Sequence, residues 1–539
     1  MAEATNKTRW MRFKEILALD KEAISQLYVF AILSGLLSLS LPLGIQSVIQ
    51  YVQSGQVVTS WIVLVALVIL GVILAGSLQV LNLRLTENLQ QKIFVYFTFD
   101  FAYRFPRLNR LALKGKIPFE LMNRFFDIMV IQKGIAKLLL DFTQSFLQIT
   151  FSLLVLSFYH PFYIGFSALL VTIIYLVFRP IVKRGMKTAY EESTHKYKTV
   201  FWLQEVARAD WSFRLVPKAK LNLERLDKHS VDYLTSRTNH FAVLRSQYIW
   251  MIALKALIVA ALLGLGGYLV IDRQLSLGQF VAAEVLILLI LSSVEKLTQL
   301  LETFYDVFTS LEKLGQIQDL PMTYEGDPTD KLAKEPIFPI EVIDVTTNEL
   351  NVLFQIEEGC HTFIHASNQL KTDAFLRLII DPTYSKSKMP RWNYMVPKAE
   401  RLFANIDQFG WFSKGVHLID GTLYENVIFG RNELTLDDFT KAMDCVGLSY
   451  LNDKFYEGRD IFLSKANKLL SEEEREKILI ARALVSSPQL FIISFFGLSF
   501  TVEDQIQILN NIENNYPKTT ILCASKNLTH NHWNQFDLK

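Results

Sequence analysis

The apolar residues of this chain are concentrated before about residue 305, where six stretches are long and apolar enough to cross a bilayer. Only "YHP" separates the third stretch from the fourth, which predicts a tight hairpin. After this region, short apolar runs alternate with polar segments in a pattern typical of a soluble α/β domain. The six predicted spans are residues 27–51, 61–83, 138–158, 161–182, 247–271 and 279–302.

Two long connections, 84–137 and 183–245, join the second span to the third and the fourth to the fifth. They carry helical patterning and few turn signals beyond "RFPRLNRLALKGKIPFE". Loops of this length without secondary structure are uncommon, so we expect helices that extend well past the membrane.

The distribution of Lys and Arg predicts which connections are cytosolic. Residues 51–60 and "YHP" contain neither residue type, and "DRQLSLGQ" contains only Arg273. The two long connections are rich in both. We therefore predict six spans with both termini and both long connections in the cytosol.

Composition adds limits on function. The chain has 539 residues, of which 51% are hydrophobic, and its mean hydropathy is +0.23. Its formal net charge of +2 gives no indication of nucleic acid as a partner. The three cysteines, Cys360, Cys445 and Cys523, have no metal-ligand spacing and are interpreted as reduced cytosolic thiols or core residues. We expect no metal site.

The N-terminal segment "MAEATNKTRWMRFKEILALDKEAI" is charged and amphipathic, with no cleavable signal peptide. Its apolar side consists of Trp10, Phe13, Ile16 and Leu17. This helical spacing favours a helix in the cytosolic interface over a frayed tail. With only about 25 residues ahead of the first span, we expect no peptidase domain there.

Two charged residues within the apolar runs are functional candidates, Lys255 in the fifth span and Glu284 in the sixth. Counted from the turn at 272–278, they differ in depth by roughly 15–18 Å at 1.5 Å per residue. A direct pair is therefore not expected. The alternative is that Glu284 reaches the outer interface while Lys255 extends towards the inner one.

Four sequence segments carry a resemblance to a known family. They are "LPLGIQSVIQYVQSG", "LSLGQFVAAEVLI", "LIDGTLYENVIFG" (418–430) and "EREKILIARALVSSPQLFII", the last with Ala481, Arg482 and Ala483 retained. They resemble the first span, the sixth span, the segment after the Q-loop and the helix and strand after the signature motif of ABC exporter half-transporters. The similarity is greatest to the type I secretion and bacteriocin-exporter branch.

The resemblance covers nearly the whole chain and implies its fold class. It implies an all-α membrane domain of six helices, as in ABC type-1 exporters, followed by an α/β P-loop-type ABC nucleotide-binding domain. We assign residues 1–24 to a cytosolic or interfacial elbow, 25–320 to the transmembrane domain and 335–539 to the nucleotide-binding-like domain. "KIPFE" (116–120) and "VARADW" (206–211) resemble the coupling helices of the family. A bacterial inner membrane is the implied location.

The positions that hold nucleotide phosphates in the family carry other residues here. A Walker A loop, GxxxxGK[ST], needs glycines so that N–H groups can surround the phosphates, a Lys for their charge and a hydroxyl for Mg²⁺. In "ASNQLKTDAF", Ala366, Gln369 and Lys371 fall at the glycines, Thr372 at the lysine and Asp373 at the hydroxyl. Shifting the alignment by one residue makes Lys371 the lysine but supplies no glycine.

The remaining contacts are substituted as well. Ser494 and Phe495 stand at the Walker B aspartate and glutamate, and neither side chain supplies the carboxylate that binds Mg²⁺ or activates water. Lys414 aligns with the Q-loop glutamine, Thr501 with the D-loop aspartate and Ser525 with the switch histidine. No aromatic residue for adenine stacking occurs between residues 340 and 353.

The signature motif LSGGQ is replaced by "LSEEE", which includes Ser471, Glu472 and Glu473. A glutamate about 4 Å from a phosphate costs on the order of 4 kcal/mol per unit charge at an effective dielectric near 20. The alternative interpretation, which we favour, is a capped helix start with Ser471 as N-cap and Glu474 at the capping-box position.

These substitutions predict an ABC-exporter-like membrane protein that has lost ATP binding and hydrolysis and needs no cofactor. It would act as a dimeric scaffold or conduit, with a periplasmic adaptor and an outer-membrane channel as neighbours by analogy. The alternative is the degenerate half of an ATP-driven exporter of peptide, lipid or drug, with a competent paralogous partner and with ATP and Mg²⁺ as cofactors. A sensor that binds ATP without hydrolysis is a third hypothesis.

Overall fold

The computed structural model of the chain contains two compact units. A membrane unit comprises residues 1–108 and 112–321, and an α/β unit comprises 109–111 and 322–539. Along the chain, the main division between the two units falls between residues 321 and 322. The structure describes residues 7–53, 59–109, 112–113, 118–218, 220–323, 337–344, 352–366, 369–380, 394–396, 405–454, 461–463, 470–526, 528 and 532–538.

In its described residues the membrane unit is built from helices. Its helices are α1 (Arg9–Leu17), α2 (Lys21–Ser38), α3 (Ser40–Gln53), α4 (Thr59–Arg104), α5 (Pro118–Met122), α6 (Phe125–Lys137), α7 (Thr143–Tyr159), α8 (Pro161–Arg208), α9 (Asp210–Leu215), α10 (Leu221–Ala261), α11 (Gly267–Ile271) and α12 (Leu277–Gln318). Single π-helical turns join α6 to α7 and α10 to α11. Among the described residues, six continuous helical stretches are long and apolar enough to cross a membrane, which confirms the predicted number.

Several of these helices are much longer than a bilayer is thick. α8 has 48 residues, so it is about 72 Å long at 1.5 Å per residue, against a hydrocarbon core of about 30 Å. The predicted extensions are therefore helical. Short helices α5 and α9 overlap the two segments, 116–120 and 206–211, that resemble coupling helices.

The hairpin between the third and fourth spans is as tight as predicted. α7 ends at Tyr159 and α8 begins at Pro161, which leaves only His160 between them. The Nδ1 atom of His160 accepts a hydrogen bond from the Phe162 N–H at 3.1 Å, which caps α8.

Helix α1, which the sequence predicts to be a cytosolic or interfacial helix, packs against the membrane unit itself. It packs on the last third of α12, where the Phe308 ring lies 4.6 Å from Trp10 and 5.3 Å from Phe13 between centroids. Arg12, on the same helix, is buried and bonds Asp319 at 2.5 Å. Phe308 is 31 residues into α12, about 46 Å along it. α1 thus belongs to the helical extension because aromatic contacts and an ion pair hold it there.

The α/β unit contains ten strands and six helices in its described residues. The strands are β1 (Ile340–Asp344), β2 (Val352–Ile356), β3 (Thr362–Ala366), β4 (Tyr394–Met395), β5 (Phe409–Phe412), β6 (Gly421–Thr422), β7 (Phe462–Leu463), β8 (Leu490–Ser494), β9 (Thr520–Ser525) and β10 (Asn534–Leu538). The helices are α13 (Gln369–Ile380), α14 (Leu423–Ile428), α15 (Leu436–Cys445), α16 (Ser449–Lys454), α17 (Glu472–Leu484) and α18 (Val502–Asn515).

The strands form three sheets. A parallel sheet has the order β10-β3-β9-β8-β5, an antiparallel sheet the order β2-β1-β4, and β6 pairs with β7. Every residue of β8 and β9 is buried, as expected for the centre of a parallel sheet covered on both faces. α17 buries the apolar side that includes Ile478, Ile480 and Leu484. The predicted strand "LFIIS" and the amphipathic helix before it are therefore confirmed.

Candidate functional site

The positions aligned with nucleotide contacts lie at one edge of the parallel sheet. β3, β9, β8 and β5 are parallel neighbours, so their carboxyl ends share this edge. β3 ends at Ala366, β8 at Ser494 and β9 at Ser525, and Lys414 lies two residues beyond the end of β5. Ligands of open α/β sheets bind outside the carboxyl ends of the strands. The structure thus brings the predicted positions together.

The connection from β3 to α13 is short. Only residues 367 and 368 of the predicted Walker A segment intervene, and they lie outside the described residues, while α13 already begins at Gln369. Thr372, at the position of the family's lysine, is fully buried, whereas Lys371 is exposed. The lysine of this segment, Lys371, therefore lies one residue before the position of the family's lysine, on the exposed side of the first turn of α13.

Asp373 and Ser494 exchange the functional groups of the family pattern. The family has a hydroxyl at the first position and a carboxylate at the second; this chain has the reverse. Burial raises the pKa of Asp373, while Arg377, Ser494 and Gln369 act in the opposite direction. Ser494 is 1% exposed, and its Oγ forms no full hydrogen bond within the described part of the chain. One carboxylate and one hydroxyl thus face each other with their positions reversed.

Phe495, at the position of the catalytic glutamate, belongs to the hydrophobic core. It is 5% exposed, and its ring meets Phe500 edge to face at 5.9 Å between centroids. Its backbone N–H donates to the Ala524 carbonyl at 2.9 Å, which continues the contact between β8 and β9. The side chain that the family uses to activate water is replaced here by a ring that fills the core.

Lys414, Gln369 and Gly497 meet in front of the sheet edge. A Cβ added to Gly497 would lie 3.1 Å from the Lys414 Nζ and 3.3 Å from the Gln369 Oε1, so the glycine permits this close approach. Its φ of +69° also favours glycine. The Gln369 Nε2 donates to the Phe496 carbonyl at 3.4 Å. The Q-loop position therefore presents an ammonium group next to the start of α13.

The substituted signature motif forms the capping box predicted as the alternative to a functional motif. The Ser471 hydroxyl accepts from the Glu474 N–H at 3.2 Å, and the Glu474 carboxylate accepts from the Ser471 N–H at 2.7 Å. Glu473 pairs with Lys477 at 2.6 Å on the surface of α17. The serine and two of the glutamates therefore have structural partners within their own helix.

The D-loop and switch positions are also occupied by structural groups. Thr501 caps α18, accepting from the Asp504 N–H at 3.2 Å and donating to the Asp504 carboxylate at 2.7 Å. These bonds lower the pKa of Asp504. Ser525 is buried and donates to the Gln505 Oε1 at 2.9 Å, which ties the end of β9 to α18.

The retained motifs contact one another directly. Arg482 donates to the Asn426 carbonyl at 2.5 Å, to the Asn426 Oδ1 at 2.8 Å and to the His417 carbonyl at 2.9 Å. Burial lowers the pKa of Arg482 to about 10, so the guanidinium stays charged near neutral pH. Asn426 in turn bonds both backbone groups of Ile419. The segment 418–430 and the "ARAL" helix thus persist together because they hold each other.

The sequence did not predict a cavity of about 460 Å³ beside this edge. It lies between the segment after β5, the first turns of α17 and the loop after β8, and it contains both charge signs, with Lys414 and Arg475 facing Glu472 and Glu476. Burial raises the pKa of Glu476, whose carboxylate accepts from the Ser499 N–H at 3.0 Å. Within the described residues, no cluster of three or more metal-ligating side chains occurs.

In the membrane unit, Lys255 has a partner that sequence analysis missed. Its Nζ lies 2.5 Å from the carboxylate of Glu295 on α12, so Lys255 does not simply extend towards the interface. Lys255 is thus paired with Glu295 in this structure, a residue other than Glu284. Glu295 lies inside the predicted sixth span and was detectable there as a third charge, next to Lys296.

Comparisons with known proteins agree with this architecture. No protein-family model matches the chain. It is 22% identical over 367 residues to the leukotoxin translocation ATP-binding protein LktB of Mannheimia glucosida, covering 65% of this chain and 50% of that one. It is 22% identical over 325 residues to the alpha-hemolysin translocation ATP-binding protein HlyB of Escherichia coli O157:H7, covering 56% and 44%. The chain spans about half the length of these curated relatives.

A solved structure described as a bacterial Atm1-family ABC exporter with ATP bound superposes on the chain with a TM-score of 0.77. The match covers 94% of this chain and 91% of that one at 14% sequence identity, so it establishes the fold alone. Together with the homologous translocation proteins and the six apolar helices, it shows that the chain is an integral membrane protein with the fold of ABC exporters.

Proposed function

We propose that this chain is an ABC-exporter-like protein of the bacterial inner membrane that has lost ATP binding and hydrolysis. In this proposal it acts as a dimeric scaffold or conduit in an export assembly. The observation that carries it is the end of β8, where a buried Ser494 and a core-packed Phe495 stand at the Mg²⁺-binding and water-activating positions.

The chemistry of these two groups argues against hydrolysis. General-base activation of water requires a group that accepts a proton within hydrogen-bond reach, and a phenyl ring cannot do so. Mg²⁺ is held in such sites by carboxylates and phosphate oxygens. The carboxylate next to Ser494 belongs to Asp373 at the start of α13, where burial favours its neutral form.

Phosphate binding is disfavoured for a separate reason. A P-loop surrounds phosphates with N–H groups that glycines make accessible, whereas here the helix begins at Gln369 without a glycine in the segment. In the opposite half of an ATP sandwich, Glu472 and Glu473 would place carboxylates where the family places glycine N–H groups. Repulsion between these carboxylates and a phosphate would weaken even a site completed by a competent partner.

The proposed role in an assembly rests on the relatives. LktB and HlyB are described as translocation ATP-binding proteins for a leukotoxin and for alpha-hemolysin. We infer a homodimer, with a periplasmic adaptor and an outer-membrane channel as partners, from this similarity. Because the chain has lost the residues for ATP chemistry but keeps the helices and the sheet, a structural role in such an assembly is the simplest function.

The test is Mg-ATP binding and hydrolysis by the full-length chain in lipid nanodiscs. We expect neither saturable binding up to millimolar Mg-ATP nor hydrolysis above the empty-nanodisc rate. Any weak binding at the sheet edge would fall in Lys371→Gln and Lys414→Gln but not in Lys441→Gln, a control on α15. Saturable binding that follows this pattern would overturn the proposal.

A second candidate function is the degenerate half of an ATP-driven exporter. It is favoured by the words "translocation ATP-binding protein" in the relatives' descriptions and by the exporter structure with ATP bound. Complexes extracted from the native membrane discriminate the two. Native mass spectrometry would show two copies of this chain under the first proposal, and one copy with an intact ABC paralogue under the second.

A further inference from the structure

A polar cavity lies inside the membrane unit, where apolar side chains are the norm. Its volume is about 120 Å³, and α2, α4, α7 and α12 all contribute to its wall. The polar lining includes Ser34, Ser38, Gln79, Gln144, Ser145, Gln148, Ser292, Ser293 and Lys296. Polar side chains at membrane depth are costly and mark binding sites or pathways.

The cavity lies in one half of the bilayer. His160 bonds Gln274 at 3.0 Å, so the ends of α7 and α12 near these residues are on the same side of the membrane. From those ends, Gln148 is 11 residues into α7 and Lys296 is 19 residues into α12. At 1.5 Å per residue these depths are about 16 and 28 Å, within the far half of a hydrocarbon core of about 30 Å. The charge distribution predicts that this half is cytosolic.

Part of the lining has its hydrogen-bonding capacity satisfied within the protein. Ser38 donates to the Gln148 Oε1 at 3.0 Å, and the Gln148 Nε2 lies 3.4 Å from the Ser152 Oγ. Ser34 donates to the Ala75 carbonyl at 3.2 Å. These bonds fix the wall formed by α2, α4 and α7.

Other lining groups are left for a ligand. Ser145 and Ser293 are 3% and 5% exposed, and their hydroxyls form no hydrogen bond within the part of the chain that the structure describes. Lys296 likewise has no ion pair among the described residues. The adjacent Glu295 is engaged by Lys255. Asp141, one helical turn before Ser145, is an acidic residue at a similar depth, and among the described residues no ion pair joins it to Lys296. Lys296 therefore lies beside two hydroxyl donors without a direct carboxylate partner.

We propose that this cavity binds an oxyanion, a phosphate or carboxylate group, through Lys296, Ser145 and Ser293. Ammonium and hydroxyl groups all donate hydrogen bonds to such a group, and charge-assisted bonds are the stronger ones. The small volume suits the head of an anionic molecule rather than a polypeptide segment. The group comes either from an anionic lipid headgroup or from a water-soluble anion, and basic pockets between helices on the cytoplasmic side bind such headgroups. The proposal does not depend on the state of the nucleotide positions.

The experiment uses the full-length chain in nanodiscs of neutral phosphatidylcholine. Native mass spectrometry counts retained phosphatidylglycerol after its addition, and calorimetric titration measures inorganic phosphate and acetate. We expect Lys296→Gln to weaken binding of at least one probe by about tenfold or more, equivalent to about 1.4 kcal/mol. Lys183→Gln, which removes an exposed lysine from α8, should leave it unchanged.

The outcomes separate the sources. If Lys296→Gln weakens the binding of phosphatidylglycerol alone, the site holds a lipid headgroup. If it weakens the binding of phosphate or acetate alone, the site holds a water-soluble anion. The variant Ser145→Ala with Ser293→Ala removes both hydroxyls without changing charge, and we expect about a threefold or greater loss of the same probe. If Lys296→Gln misfolds, this variant decides the question. Equal binding of every probe by the parent chain and by the well-folded variants overturns the proposal.

Discussion

At the scale of single residues, Asp373 and Ser494 show why substitutions considered one at a time overstate the change in functional groups at this site. Each replaces a family residue with the wrong chemistry, but together they retain one hydroxyl and one carboxylate at the contact between α13 and β8. The exchange moves the carboxylate from the end of a fully buried strand to the edge of a helix. There its charge is less costly to bury.

The burial of Asp373 beside Ser494 predicts that the stability of the chain depends on pH. Because burial raises the pKa of Asp373, the native state binds this proton more tightly than the unfolded state does. Stability therefore falls as pH rises from the ordinary carboxyl pKa, about 3.9, through the raised native pKa. We expect Asp373→Asn to raise the Tm of the full-length chain in nanodiscs at about pH 7. The gain should shrink as the pH is lowered towards about 4.

Asp504→Asn is the matched control, since its effect has the opposite sign. The bonds from Thr501 lower the pKa of Asp504, so its contribution is present above the ordinary carboxyl pKa and is lost as pH falls through the lowered value. Asp504→Asn should therefore lower the Tm at about pH 7. A lowered Tm in Asp373→Asn as well would show that Arg377 and Gln369 outweigh burial at Asp373.

At the scale of elements, the retained parts of the family pattern are those that hold the α/β unit together. Arg482 on α17 holds Asn426 on α14, and Arg431 bonds the Arg482 carbonyl at 2.9 Å, which closes a network between two retained segments. None of these contacts involves the sheet edge where nucleotide would bind. Selection for the fold alone can therefore preserve them, whether or not the nucleotide chemistry is retained.

Removal of Arg482 tests that structural role. Arg482→Met removes the side-chain donor to the Asn426 and His417 backbone carbonyls, while the Asn426 Oδ1 keeps its bond from the Ile419 N–H. We expect a loss of about 2–4 kcal/mol in the free energy of unfolding. Lys477→Met, on the same helix, removes a surface pair with Glu473 and should change stability by only a few tenths of a kcal/mol. Both free energies of unfolding are measured by chemical denaturation, with hydrogen exchange of residues 418–430 as the readout. Equal, small losses would contradict the network.

The sequence predicted the features that depend on neighbouring residues, and it missed the contacts between elements that are distant along the chain. The spans, the hairpin at His160 and the capping box at Ser471 depend on neighbouring residues, and the structure confirms them. The Lys255–Glu295 pair joins helices that a hydropathy pattern cannot orient relative to each other. The contact between Asp373 and Ser494 and the polar cavity likewise depend on which elements become neighbours. Periodicity identifies each helix but not the partner of each face.

At the scale of the whole molecule, the orientation in the membrane is a prediction that native cysteines can test. Cys360 is exposed, whereas Cys445 and Cys523 are buried in the α/β unit. Burial raises the pKa of Cys445 to about 12 and that of Cys523 further, so both remain unreactive thiols near neutral pH. The unmodified chain therefore carries one reactive thiol, and it lies in the unit predicted to be cytosolic.

A membrane-impermeant maleimide should label the native chain once per copy in inverted membrane vesicles and not in right-side-out vesicles. The control is Asp272→Cys in a Cys360→Ser background, which moves the thiol to the exposed turn before α12. Because an even number of spans separates the two termini, and this turn lies one span away from the α/β unit, its labelling should be reversed. Labelling of both proteins from the same side would require that the chain does not cross the membrane after α11. In that case α12 would not cross the membrane. Half of its most apolar window is buried inside the unit.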